Sequence, residues 1–335
     1  MNNVKTILEY IWIGGRNEIR SKTRVIHNFL PFDVLSMPHW NYDGSSTWQA
    51  DSNGDTEITL VPCAVFDDPF RKLRSNINSY LVLCETYRSS GEPTETNHRH
   101  KANLIFGKSL QEKPWFGLEQ EYFILSNNRL ENRVNEVDGY YYCGTAQNDF
   151  ERTIVERHLE MCIKSEIKIS GINAEVAKGQ WEFQIGPCEG IQAGDHLIVA
   201  RYILERLAEQ FHSTIDYRPK PVANINGSGC HINFSTCKTR DENGIEYIYE
   251  YIKRLERKHS EHIAVYGENN HLRLTGLHET SSMDKFSWGI GTRNTSIRIP
   301  NQTFKDNCGY FEDRRPAANI DPYLTSSIIF DTCCS

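Results

Sequence analysis

The sequence has no apolar run approaching the roughly 20 residues that a bilayer span requires, and Met1 to Arg20 lacks the basic, apolar and small-residue order of a secretory signal. A soluble, cytoplasmic protein with no membrane partner is the expectation. No C-x-x-C pair occurs among its 10 cysteines, which sit largely inside apolar runs such as LVLCE and LEMCIK. They are predicted to be reduced and mostly buried rather than disulfide-linked. No block of like charges is present; 37 Lys and Arg stand against 44 Asp and Glu, a net charge of -7, so nucleic acid is not an expected partner. Internal repeats are absent, which excludes a solenoid. What is present suits a folded protein: 335 residues that are 39% hydrophobic, 11% aromatic and only 24% charged. That length predicts about two domains.

The first part reads as short strands at 10–13, 21–26, 56–62 and 79–85, separated by turn-rich segments. The polar run from Ser89 to Lys101 marks a boundary, giving domains 1–93 and 94–335. In the larger, α+β part, apolar residues recurring at three to five positions predict helices over 149–170, 195–216 and 246–263. Strands are expected at 116–125, 180–186, 229–235 and 295–300.

Several of these strands carry charge in an apolar frame. Glu119 and Glu121 alternate with Leu118, Gln120 and Tyr122, which puts both carboxylates on one face. Glu182 and Gln184 alternate with Trp181, Phe183 and Ile185, and His231 and Asn233 with Ile232 and Phe234. Arg298 lies between Ile297 and Ile299, and Glu312 alternates with Arg314. Any one such strand is most simply a solvated face. Five together predict a shared polar cavity, because charges in apolar surroundings persist only when paired or metal-bound. Glu175, in Asn-Ala-Glu, is a further candidate. Carboxylates with one imidazole and no thiolate suit Mg²⁺ or Mn²⁺ rather than zinc, and arginines beside them suit phosphate. The residues by themselves therefore reach metal-dependent phosphoryl chemistry.

An ordered set of motifs carries the reading further: Trp40-Asn41-Tyr42-Asp43-Gly44-Ser45-Ser46-Thr47, Gly117-Leu118-Glu119-Gln120-Glu121-Tyr122, Gly171-Ile172-Asn173-Ala174-Glu175, and Lys220-Pro221 leading to Asn226-Gly227-Ser228-Gly229-Cys230-His231 and Ser235. Leu274 to Thr280, Ser296 to Pro300 and Tyr310 to Pro316 complete it. From about Tyr10 to Tyr323 the chain resembles glutamine synthetase, in the wording of the eukaryotic-type (type II) enzymes. That resemblance implies an N-terminal β-grasp domain followed by a catalytic domain whose antiparallel strands form an open half-barrel flanked by helices. It implies ATP-dependent ligation of ammonia to the side-chain carboxylate of L-glutamate through γ-glutamyl phosphate, giving glutamine, ADP and phosphate.

By the same resemblance Glu121, Glu175 and Glu182 hold one divalent ion and Glu119, His231 and Glu312 a second, with a third position sharing these side chains in some members. ATP is placed near Trp115, Pro187, Ser235, Arg240 and Tyr310. Glutamate falls to Arg273, Arg293 and the Gly227 backbone, and the transferred phosphate to Arg298 and Arg314. Asp43 deprotonates ammonium, and Glu279 sits on a loop closing the glutamate entrance. The implied assembly is a homo-oligomer with sites shared between adjacent subunits, a decamer of two pentameric rings, although a short N-terminal arm predicts weakened ring-to-ring contacts. Gly14-Gly15-Arg16 and the single arginine of His271-Leu272-Arg273 depart from the family pattern. A ligase for another amine and a catalytically silent homologue are the alternatives; Asp43 with Glu279 argues against the first, and the complete ligand set against the second.

Overall fold

The computed structural model describes residues 4–31, 33–50, 54–71, 76–126, 141–145, 149–223 and 225–335. Among these, the strands form two sheets. The first contains β1 (Lys5–Ile13), β2 (Ile19–His27), β3 (Trp40–Asp43), β4 (Glu57–Asp67) and β5 (Ile77–Arg88), in the order β2-β1-β5-β4-β3. Strand β1 pairs antiparallel with β2 and parallel with β5, so it is an interior strand, and from Leu8 to Trp12 its side chains are buried on both faces. Its alternation divides two cores accordingly: Leu8, Tyr10 and Trp12 pack with Tyr42, Ile58 and Leu60, while Ile11 faces the main core with Leu81 and Leu83. Pro62 is accommodated in β4 where the register shifts between Pro62 and Ala64.

After α1 (His98–Gly107), a second sheet is built from β6 (Trp115–Ser126), β7 (Ile169–Ala174), β8 (Gln180–Glu189), β9 (Ser213–Asp216), β10 (Cys230–Ser235), β11 (Trp288–Ile290), β12 (Ile297–Ile299) and β13 (Phe311–Asp313). Its order is β11-β12-β13-β10-β6-β8-β7, with β9 against β6. The fold is mixed α/β, with this curled sheet lining a half-barrel. Helices α2 (Asp149–Lys164), α3 (Gln192–Gln210), α4 (Cys237–Arg240), α5 (Ile245–Arg257), α6 (His259–Val265), α7 (Asn301–Asp306) and α8 (Pro322–Cys334) complete the chain. Apolar side chains of β6, β8, β10 and β13 meet those of α3, α5 and α8 in one core, which leaves the opposite sheet face free for polar groups. Arg99 of α1 fastens the first sheet to this body, donating to Glu85 of β5 at 2.7 Å and to Asp195 of α3 at 2.7 and 2.9 Å.

Most expected elements are present with shifted limits, but the helix expected over 195–216 ends at Gln210, and Ser213–Asp216 instead forms β9, paired with β6. Helix α2 ends at Lys164, and 169–174, expected partly as helix, is β7, whose Gly171 pairs with Gln184. The expected helix over 246–263 is two helices, since Lys258 leaves helical geometry between α5 and α6. Trp40–Asp43, which lies in a turn-rich segment between the expected strands, forms β3, paired with β4 from Trp40↔Leu60 to Asp43↔Glu57. All 10 cysteines are free; Cys84, Cys162, Cys188, Cys230 and Cys333 are buried, four are half-buried and Cys143 is exposed. No helix among the described residues is long and apolar enough to cross a membrane.

Candidate active site

The site grows from strand register. In β6, Leu118, Gln120 and Tyr122 are fully buried while Glu119 and Glu121 face the cavity. Pairing then sets His231 opposite Glu119, Glu182 opposite Glu121, and Arg298 opposite Glu312. Glu175 follows the end of β7, where its backbone N–H bonds Gln180 O at 2.9 Å. The result is a cavity of about 370 Å³.

Two triads of donor atoms line it, Glu119–His231–Glu312 and Glu121–Glu175–Glu182, each with all three atoms within 4.8 Å of one another. His231 Nδ1 is 3.5 Å from both Glu119 Oε2 and Glu312 Oε1. Glu121 Oε2 accepts from Gly229 N at 2.8 Å and from Gln180 Nε2 at 3.3 Å. Burial, then the neighbouring Glu175, pushes the Glu121 carboxyl up to about 8. Burial with Glu119, Glu121 and Glu175 pushes Glu182 up to about 9, and burial raises Glu175 as well. His231 is held well below its ordinary value by burial and by Arg314, which keeps the imidazole neutral and able to ligate. Crowded carboxylates with one neutral imidazole and no thiolate are a donor set that fits hard divalent cations.

Arginines close one side. Arg314 Nη1 donates to Glu312 Oε1 at 2.6 Å and Arg298 Nη1 to Glu312 Oε2 at 3.2 Å. Arg298 Nε is buried without a partner. Arg273 is buried, its nitrogens on Arg314 O (2.8 Å), Arg315 O (3.2 Å) and His231 Nε2 (3.0 Å). At the mouth, Arg293 Nη1 lies 3.4 Å from Glu279 Oε2. Gly227 lines the same cavity, and a Cβ there would collide with Pro219 O, so only glycine lets the backbone pass.

Beside this cavity is an apolar slot of about 460 Å³ that contains Trp115, Pro187, Ser235, Arg240 and Tyr310 together. The Arg240 guanidinium stacks 3.9 Å from the Trp115 ring centre and donates to Ser235 Oγ at 2.9 Å. Trp115 and Tyr310 are 41% and 42% exposed, leaving aromatic surface open to a flat ligand. Glu119 borders both cavities, so a ligand in the slot can reach the carboxylate triads.

Of the residues singled out in the sequence, only Asp43 is not brought to this cavity or slot. It lies fully exposed at the end of β3, its carboxylate accepting from Ser45 N and from the Ser45 and Ser46 hydroxyls, bonds that lower its pKa. Sequence reasoning gave no role to Tyr142, Asn173, Gln180, Asn226, His278 or Thr280, all on the cavity wall. Gln184 and Asn233 also have places there or in the slot. For Gln184 and Asn233 the signal was available, because each stands two residues from a ligand candidate on the same strand face.

The chain matches the family model described as glutamine synthetase, catalytic domain, over residues 99–333. A protein of Acanthamoeba polyphaga mimivirus is 52% identical over 336 residues, covering 98% of this chain and 94% of the relative. The glutamine synthetase of Tuber borchii is 49% identical over 335 residues, with 98% and 92% covered, and that of Emericella nidulans 48% over 333 residues, with 97% and 92%. Similarity of this depth, running through both the first sheet and the half-barrel, makes the chain a member of the glutamine synthetase family.

Proposed function

We propose that this protein is a glutamate–ammonia ligase that joins ammonia to the side-chain carboxylate of L-glutamate at the expense of ATP. The observation that carries the reading is the pair of triads lining an arginine-walled cavity beside an aromatic slot. Glu121, Glu175 and Glu182 would hold one Mg²⁺ or Mn²⁺, and Glu119, His231 and Glu312 a second; a third ion would share these groups. When bound, such ions neutralise phosphate oxygens and the charge that spreads over them during transfer.

The protein's own groups account for the rest. ATP lies in the slot, its base against Trp115, Pro187 and Tyr310, with Ser235 and Arg240 at its polar edge. Arg273, Arg293 and the Gly227 backbone hold glutamate so that its side-chain carboxylate attacks the terminal phosphorus and ADP leaves. Arg298, with a free Nε–H, and Arg314 face the transferred group, offsetting the repulsion between two anions. Ammonia then displaces phosphate from γ-glutamyl phosphate. Glu279, already paired with Arg293 across the mouth, binds ammonium and excludes water that would hydrolyse the acyl phosphate.

Asp43 would take the ammonium proton, and because it stands outside its own chain's cavity it would act in that of a neighbour. We therefore read the protein as a homo-oligomer with shared sites, in two five-membered rings, cytoplasmic, with residues 1–93 a β-grasp domain and 94–335 the catalytic domain. The deciding experiment is phosphate release from ATP and glutamate with ammonium, methylamine or ethanolamine. Release that depends on glutamate and is highest with ammonium is expected. Preference for another amine, or no release, would reject this reading.

A further inference from the structure

Four of the five carboxylates in the two triads are held by neutral amides. Asn233 Nδ2 donates to Glu119 Oε1 at 2.8 Å, Gln180 Nε2 to Glu121 Oε2 at 3.3 Å, Asn173 Nδ2 to Glu175 Oε1 at 3.1 Å, and Gln184 Nε2 to Glu182 Oε1. The fifth, Glu312, is held by Arg298 and Arg314. Two of the amides are also joined to each other, since Gln184 Nε2 donates to Asn173 Oδ1 at 2.7 Å. A continuous chain thus runs Glu182–Gln184–Asn173–Glu175 across the neighbouring strands β7 and β8. Gly171 stands opposite Gln184 in the register, and a Cβ there would run into Gln184 Oε1.

The chemistry of the holder matters. An arginine or lysine in these positions would orient a carboxylate and cancel its charge, as Arg298 and Arg314 do at Glu312. An amide N–H orients it and leaves the full negative charge for an incoming cation. Without such donors, neighbouring carboxylates repel one another and turn apart.

We propose that Gln184 and Asn173 form a single positioning unit, which fixes Glu175 and Glu182 for one divalent cation without neutralising them, and that Gly171 is the space this unit needs. The inference rests on the divalent-ion reading of that triad. Outer partners of this kind typically change metal affinity by roughly 10- to 100-fold.

The test is Mn²⁺ binding to the whole chain, followed by calorimetry and by the spin-resonance signal of free Mn²⁺, with melting temperature as the check on folding. Gln184→Met keeps the length and removes the donor; Asn173→Ala breaks the chain at its other member; Gly171→Ala crowds Gln184 out of position while deleting no donor group. Mn²⁺ binding at one site should weaken roughly 10- to 100-fold in Gln184→Met, and Gly171→Ala should weaken it in the same direction. The double variant Asn173→Ala/Gln184→Met should be no weaker than Gln184→Met, because a unit can be broken only once. If Gln184→Met does not fold, Gly171→Ala decides. Affinities unchanged beside a lowered melting temperature, or losses that multiply in the double variant, would overturn the proposal. Failure of the parent chain to bind Mn²⁺ would instead overturn the metal reading on which it rests.

Discussion

Arg273 Nη2 stands 3.0 Å from His231 Nε2. A guanidinium can only donate, so Nε2 accepts and the neutral ring carries its hydrogen on Nδ1, the nitrogen directed at Glu119 and Glu312. A cation held at Nδ1 would displace that hydrogen, and with the hydrogen on Nε2 the ring could no longer accept from Arg273, which also lines the cavity.

Arg273→Lys should accordingly damage glutamate binding more than nucleotide binding, since a lysine presents a point charge in place of a two-pronged donor. A rise in the glutamate KM of roughly tenfold is expected, the ratio that follows from losing one charge-assisted bond. The ATP KM should stay within about twofold. Steady-state kinetics with each substrate varied would check it, and equal rises in both KM values would count against the assignment.

Glu312→Ala removes a donor of the second triad and leaves Arg298 and Arg314 without their carboxylate. Activity should fall by at least about 100-fold, as expected when an electrostatic group in the reacting site is lost. Circular dichroism should be unchanged, because β13 keeps its backbone pairing to β10 and β12. Near-normal turnover at saturating Mg²⁺ would remove this strand from the site.

Stability should depend on pH through Glu121 and Glu182, whose carboxyls are pushed up from 4.5 to about 8 and about 9. Between these values the folded chain keeps protons that the unfolded chain has released, so stability falls as pH rises from about 4.5 to about 9. The metal-free chain should melt progressively lower across that window. Saturating Mg²⁺ should flatten the dependence, because the cation takes the place of the protons. Melting curves with and without Mg²⁺ would show it, and a flat metal-free series would mean the carboxylates are relieved in another way.

Asp43 is exposed on β3, while the cavity is lined by residues from Glu119 to Arg314. Neither Asp43→Ala nor Glu312→Ala should work alone. Co-expressed in equal amounts, they should recover activity wherever an intact cavity meets an intact Asp43, about a quarter of sites for one head-to-tail contact per site. Mixed oligomers that remain as inactive as the single variants would exclude a shared site.

Alternation fixed much of this in advance. A period of two in 118–122 and 181–185 put Glu119, Glu121 and Glu182 on one face and buried their neighbours, an outcome that follows from strand geometry whatever the surroundings. The order of the motifs carries the family resemblance independently of the fold. Local pattern failed where pairing decided the result: Trp40–Asp43 is a strand because β4 lies beside it, and 169–174 became β7 because β8 was there to receive it. Gln184 and Asn173 were visible as polar residues, yet that they bond each other across two strands is a matter of register. The grip of Arg273 on His231 likewise joins residues 42 positions apart. The sequence by itself determined which side chains leave the core and what chemistry they carry, since each strand's alternation is local. Only the tertiary structure decided which of them meet and at what distance, and that Asp43 is held away from its own chain's cavity, because those relations are set by how separate strands pair and how the two sheets are joined.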